Sequence, residues 1–142
     1  MGLKVRRGKE SYVYALKLQC GFIYVGLTYN VDKRVREHYE GKGSVFTSRF
    51  KPVGIHSVLP LGKVSAAEAS AAENIYTIEL ILKYSQNKIR GGGYAAMYRK
   101  KRSRAVWERL LVYWKRYAKM LDEYSKWGGY SPWTEAIGIN SY

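Results

Sequence analysis

The stretch YVYALKLQCGFIYVG, residues 12–26, holds two short apolar runs, each carrying tyrosine, on either side of Gln19-Cys20-Gly21. Ser11 to Leu18 and Phe22 to Thr28 are rich in strand-forming side chains, and the glycine-containing break suits a reversal, so the pattern predicts an antiparallel hairpin. Alternate residues of a strand share a face. Tyr12 and Tyr14 therefore stand together, and Tyr24 is expected opposite them across the hairpin.

The rest of the chain reads mainly as helix. Asn30 suits the N-cap of VDKRVREHYE, a segment that ends at Gly41. The following GKGSVFTSRFK, residues 41–51, mixes glycine and hydroxyl residues with basic ones and predicts a mobile loop, and Val53 to Leu59 a third strand before Pro60. Ser65 and Glu68 have capping-box spacing, opening a helix to about Tyr84. QNKIRGGG, residues 86–93, breaks it, and a second long amphipathic helix is expected from about Ser103 to Trp127. The tail from Gly128 reads as docked or frayed. The fold class expected is α/β of the α+β type: a small three-stranded antiparallel sheet flanked by helices, with an extra long C-terminal helix. Residues 1–94 form the expected core domain, and residues 95–142 a basic, aromatic-rich helical extension packed on it.

Charge narrows the partners. The 142 residues carry 25 Lys plus Arg against 11 Asp plus Glu, a formal charge of +14, which favours a polyanion. Nucleic acid comes first and an anionic membrane surface second. No run reaches the roughly 18–20 apolar residues of a membrane-spanning helix. The opening MGLKVRRGKE lacks a secretion signal's apolar segment, and Arg6 stands where a myristoylation signal needs Ser or Thr. A soluble protein of the cytoplasm follows as the expectation. Cys20 is the sole cysteine, so no internal disulfide and no cysteine-rich zinc site can form.

Candidate chemistry gathers at three places. Arg34 and His38, four apart on the helix that follows Tyr24, project from one face and bring a cation and a titratable ring beside the phenols. Glu73 has Ala69, Tyr76 and Leu80 as helical neighbours, so its carboxylate points inward and calls for either a buried partner such as Arg34 or a divalent cation. Glu68 and Glu79 have local explanations, the capping box and Lys83 respectively. Lastly, RKKRSR at residues 99–104 leads into a helix where basic residues alternate with Trp107, Tyr113, Trp114 and Tyr117.

These residues together resemble the GIY-YIG nucleases. Tyr12-Val13-Tyr14 stands where that family has GIY, Tyr24-Val25-Gly26 where it has YIG, and YVGLTYNVDKRVREHYEG looks like its tyrosine-to-helix motif. Glu73 occupies the place of the family's metal-binding glutamate, and Asn87 with Arg90-Gly91-Gly92-Gly93-Tyr94 looks like the close of the module. The tripeptides depart from the pattern by Tyr for Gly and Val for Ile in the first, and Val for Ile in the second. The resemblance implies a metal-dependent DNA endonuclease that hydrolyses phosphodiesters with one Mg²⁺ or Mn²⁺ per site. It assigns catalytic roles to Tyr14, Tyr24, Arg34, His38 and Glu73, with Glu73 on the metal and Tyr12, Gly26 and Asn87 in support. Tyr14 or His38 would take the proton of the attacking water, and cations near Tyr14 are expected to help a phenol whose ordinary pKa is about 10. Phosphate contacts are expected from Lys42, Arg49, Lys51, Arg90, Arg99, Lys100, Lys101, Arg102 and Arg104 on double-stranded DNA, with a separate specificity domain or a homodimer as compatible arrangements. The rival expectation is a catalytically inactive nucleic-acid-binding module on the same scaffold.

Overall fold

The computed structural model describes residues 9–93, 100–125 and 132–139. The predicted hairpin is present as β1 (Glu10–Leu18) and β2 (Ile23–Thr28), joined through a short 3₁₀ turn in which Cys20 and Gly21 both take positive φ, 63° and 76°. Its register pairs Tyr14 with Gly26 and Leu16 with Tyr24. Tyr24 therefore stands diagonal to Tyr14 on the same face and directly opposite Leu16, a shift from the expected opposition that the turn geometry sets.

Helix α1 (Val31–Tyr39) follows, with the Asn30 side chain accepting from Lys33 N at 3.1 Å. The segment expected as a mobile loop contains a helix instead, α2 (Val45–Arg49), whose N-cap Ser44 accepts from Thr47 N at 3.0 Å. Strand β3 (Pro52–Lys63) is longer than expected and runs through Pro60. It lies on the outer side of β1, where a residue without an N–H is tolerated, and its register slips beside Tyr12. Helix α3 (Ala66–Tyr84) opens with the predicted capping box between Ser65 and Glu68. A fourth strand, β4 (Ile89–Gly91), then pairs parallel with β2, giving the order β3-β1-β2-β4. The mixed α+β class holds, but the sheet has four strands where the sequence predicts three. Three glycine-flanked residues carry no strand signal of their own, and parallel pairing with β2 exists only because the intervening helices return the chain.

Two helices complete the described chain, α4 (Arg104–Ser125) and α5 (Pro132–Ala136). The sheet is covered on both faces. Tyr14, Leu16 and Leu18, with Phe22 and Tyr24, pack beneath Val35, Phe46 and Phe50 of the α1–α2 layer. Val13, Ala15 and Val25 face the other way, onto α3 through Ile75 and Ile78. Trp107 and Ala118 of α4 and Trp133, Ile137 and Ile139 join that same core, so residues beyond 94 share its burial. Glu79 pairs with Lys115 of α4 at 3.6 Å, tying α4 to α3, where the sequence offers Lys83 as its neighbour.

Candidate active site

Tyr14 is almost wholly buried, and its hydroxyl lies 2.8 Å from Nε2 of His38, a residue with no exposed surface. This contact requires Gly26: a Cβ there would sit 2.3 Å from the Tyr14 hydroxyl oxygen, so the glycine of the second tripeptide makes room for the phenol of the first. Tyr24 packs its ring against His38, with centroids 4.9 Å apart. On the far side of the imidazole, Nδ1 lies 2.8 Å from Oγ1 of buried Thr47, which lies 2.9 Å from the Ser44 hydroxyl. Arg34, one helical turn before His38, donates from Nη2 to Gly43 O at 3.1 Å and from Nη1 to Glu37 at 3.3 Å. The segment 43–47 thus holds both candidate side chains of α1.

Glu73 reaches this group from the opposite layer, around the β2–β4 edge. A Cβ on Gly91 would meet the Tyr24 ring and the Val25 carbonyl, and one on Gly93 would meet Asn74 Oδ1 at 2.5 Å and Glu73 Oε1 at 2.9 Å. Two residues span at most about 7 Å, so the glycine run packs backbone against the Tyr24 ring at one position and the Glu73 carboxylate two positions on. A side chain at either position would displace its neighbour. Among the described residues no cation pairs with Glu73, and Arg34 is turned to Glu37 and Gly43. Burial alone pushes the Glu73 carboxyl up to about 7.

Burial also raises Tyr14, to about 12, with the Tyr24 hydroxyl adding to the rise and Arg34 opposing it. The expected lowering by nearby cations is thereby reversed, because desolvation of the phenolate outweighs one guanidinium. His38 is pushed down to about 4 by burial and by Arg34, which leaves a neutral imidazole at physiological pH. Among the described residues no group of three His, Cys, Asp or Glu side chains converges.

The structure brings Tyr14, Tyr24, Arg34, His38, Glu73 and Gly26 into one region and leaves others outside it. The Tyr12 hydroxyl donates to Glu10 at 3.3 Å and is not joined to the His38 chain of hydrogen bonds. Asn87 is exposed past the end of α3, where its backbone carbonyl accepts from Arg90 Nη1 at 2.9 Å. Arg90 itself is clamped over the Phe22 and Phe46 rings, a position set by packing rather than by an open surface. Lys42, Arg49 and Lys51 are exposed about the α1–α2 layer. Lys101, Arg102 and Arg104 line a cleft of about 440 Å³ between the end of α3 and the start of α4, with Lys100 exposed beside it. Arg99 and Tyr94 lie outside the described residues. Thr47, Ser44, Gly43 and Asn74 escape a reading of the sequence; only the Ser-x-x-Thr spacing of an N-cap hints at the first two.

A paired phenol and imidazole, a neighbouring guanidinium and an inward carboxylate from α3 are thus gathered about one end of this sheet. The GIY-YIG catalytic domain model matches residues 10–137, and the chain belongs to the GIY-YIG nuclease family. Among curated relatives, a UPF0213 protein of Bacillus licheniformis is 40% identical over 47 residues, covering 33% of this chain and 48% of that protein. The chain thus spans about half the length of that relative. A UPF0213 protein of Staphylococcus haemolyticus is 30% identical over 80 residues, 56% of this chain and 93% of its own length. One of Cupriavidus pinatubonensis is 37% identical over 68 residues, 46% and 70% respectively. No solved structure matches.

Proposed function

We propose that this protein is a divalent-metal-dependent endonuclease that hydrolyses phosphodiester bonds in double-stranded DNA. The observation that supports the reading is the Glu73 carboxylate, with which no cation pairs among the described residues, near enough to Tyr14 to act on its charge and packed against a glycine run that leaves no room for side chains. An inward carboxylate without a cationic neighbour is costly, and a bound cation offsets that cost. The donor atoms fit a hard cation: Glu73 supplies carboxylate oxygen, and beside it the Asn74 amide, Oδ1 and Nδ2 alike, is buried with no hydrogen-bond partner among the described residues. Glu73 would hold Mg²⁺ or Mn²⁺, which when bound supplies Lewis-acid polarisation of the phosphate and stabilises the leaving oxygen.

The chain's own groups do the rest. A phenol held near 12 is protonated at neutral pH, so Tyr14 is not a preformed base. It orients the attacking water and takes one proton from it while passing its own to His38 Nε2, the ring nitrogen at its hydroxyl. His38 has no exposed surface and acts through Tyr14 rather than on water directly. Tyr24 orients water or phosphate from the facing strand. Arg34 stabilises charge developing on the phosphate oxygens, for which a planar fork suits better than an ammonium.

The test is cleavage of plasmid and of a randomised duplex library with Mg²⁺. Wild type should cut and Glu73→Ala should not, while both bind duplex with similar affinity because phosphate contacts dominate binding. A mutant that retains full cleavage removes Glu73 from the chemistry. A wild type that binds but never cuts identifies a module without turnover.

A further inference from the structure

His38 is enclosed on every side, so the hydrogen-bond roles of its two ring nitrogens follow from its partners. At Nε2 the partner is the Tyr14 hydroxyl, 2.8 Å away. Tyr14 is 1% exposed; at its hydroxyl stand His38 Nε2, which can accept, and the Arg34 guanidinium, which can only donate. A buried O–H that meets no acceptor is costly, so the phenol donates and Nε2 accepts. At Nδ1 the partner is Thr47 Oγ1, also 2.8 Å away. The Thr47 hydroxyl can give its hydrogen to the Ser44 carbonyl, 3.4 Å away, and in that arrangement its oxygen lone pairs face Nδ1–H and the Ser44 hydroxyl, 2.9 Å away.

We propose that Thr47 is a positioning residue, which holds His38 as the Nδ1–H tautomer so that Nε2 is free to receive the proton of Tyr14. This rests on the nuclease reading for its consequence in turnover, but the tautomer itself does not depend on it. When the phenolic proton moves to Nε2, the O–H bond breaks, an N–H bond forms, and the ring becomes an imidazolium with both nitrogens protonated. The Thr47 oxygen already accepts from Nδ1–H and stabilises that cation in place, while the phenol oxygen takes a proton from water. The segment is shaped for this contact. Ser44 caps α2 and sets Thr47 at the first turn, and Gly43 leaves the ring its space: a Cβ there would lie 2.1 Å from Nδ1.

The experiment uses the full chain with ¹⁵N-labelled histidine, the His38 signals being assigned by comparison with His56→Gln. Long-range ¹H–¹⁵N correlation at neutral pH should show a protonated Nδ1 and an unprotonated Nε2 for His38. Thr47→Val, which keeps the shape and removes the acceptor, should shift the ring to the other tautomer or a mixture. Cleavage should fall about ten-fold or more with duplex affinity unchanged, and Thr47→Ser should restore both. Gly43→Ala, whose Cβ would meet Nδ1, is the second variant and should move the same signals, so the test survives if Thr47→Val does not fold. A wild-type ring protonated at Nε2, or a tautomer unmoved by both variants, overturns the proposal. The expected tautomer in a wild type that cuts no DNA overturns instead the nuclease reading and the role in turnover drawn from it.

Discussion

At the scale of single residues, Glu73 and His38 are displaced in opposite senses by the same cause, and stability against pH separates them. The Glu73 carboxyl rises from its ordinary 4.5 to about 7 on burial. Below pH 4.5 it is protonated folded or unfolded and contributes nothing; between 4.5 and 7 the unfolded chain loses a proton that the fold retains, so stability falls as pH rises. Above about 7 the full cost, at most about 3 kcal/mol, is in place. His38 falls from 6.5 to about 4, so its share of stability is complete above 6.5 and is lost as pH drops toward 4. Glu73→Gln isolates the first effect. Without metal the variant should exceed wild type by about 1–3 kcal/mol in urea unfolding at pH 8 and match it at pH 4. Added Mg²⁺ should raise the wild-type midpoint and leave the variant's unmoved. Equal stability of the two at pH 8 would show a carboxylate that is hydrated, not buried.

At the scale of elements, the β1–β2 pair is a jig for one hydroxyl. Tyr14 lies across Gly26 in register, and the phenol meets His38 only because position 26 has no side chain. Gly26→Ala should push the phenol off Nε2, lower cleavage about ten-fold or more, and cost about 1–3 kcal/mol by overpacking. The comparison is with Tyr14→Phe, which loses the hydroxyl but keeps the space and should lose activity without that overpacking cost. A Gly26→Ala protein as active as wild type would mean that the strand pair does not set the phenol. The hairpin, α1 with Arg34 and His38, and capped α3 with Glu73 were legible in the sequence because alternation, caps and four-residue spacing are local signals. Three features were not. Strand β4 is too short to announce itself and depends on chain that returns from far away; α2 is hidden behind glycines and basic residues; and the His38–Thr47 contact closes across a turn of nine residues. The direction of the Tyr14 shift was also out of reach, since burial is a property of the packed layers and no spacing of cations along a chain reports it.

At the scale of the whole molecule, an excess of 14 positive charges must be placed on a body whose candidate site groups are buried, as Tyr14 and His38, or half-buried, as Tyr24, Arg34 and Glu73. Apart from Arg90, the candidate phosphate contacts among the described residues fall about the α1–α2 layer, with Lys42, Arg49 and Lys51, and about the cleft between α3 and α4, with Lys100, Lys101, Arg102 and Arg104. They are not equivalent. Arg104 donates to the Leu82 carbonyl at 3.0 Å and to Glu108, and Arg102 lies over Trp107, so both contribute to the joint between the helices. Lys100 and Lys101 have exposed side chains that are free of such structural duties in the described surroundings, which makes them the better probes of a phosphate path. If duplex runs past this cleft, Lys100→Gln with Lys101→Gln should weaken binding alike for unrelated sequences. The slope of log affinity against log salt should become shallower by about one for each lysine, while single-turnover cleavage of fully bound DNA keeps its rate. Anisotropy titrations of a labelled duplex at several salt concentrations measure the slope directly. An unchanged slope in this variant, with a shallower one in Lys42→Gln plus Lys51→Gln, would put the backbone path over the α1–α2 layer instead, on the side of the sheet where Tyr14 and His38 lie.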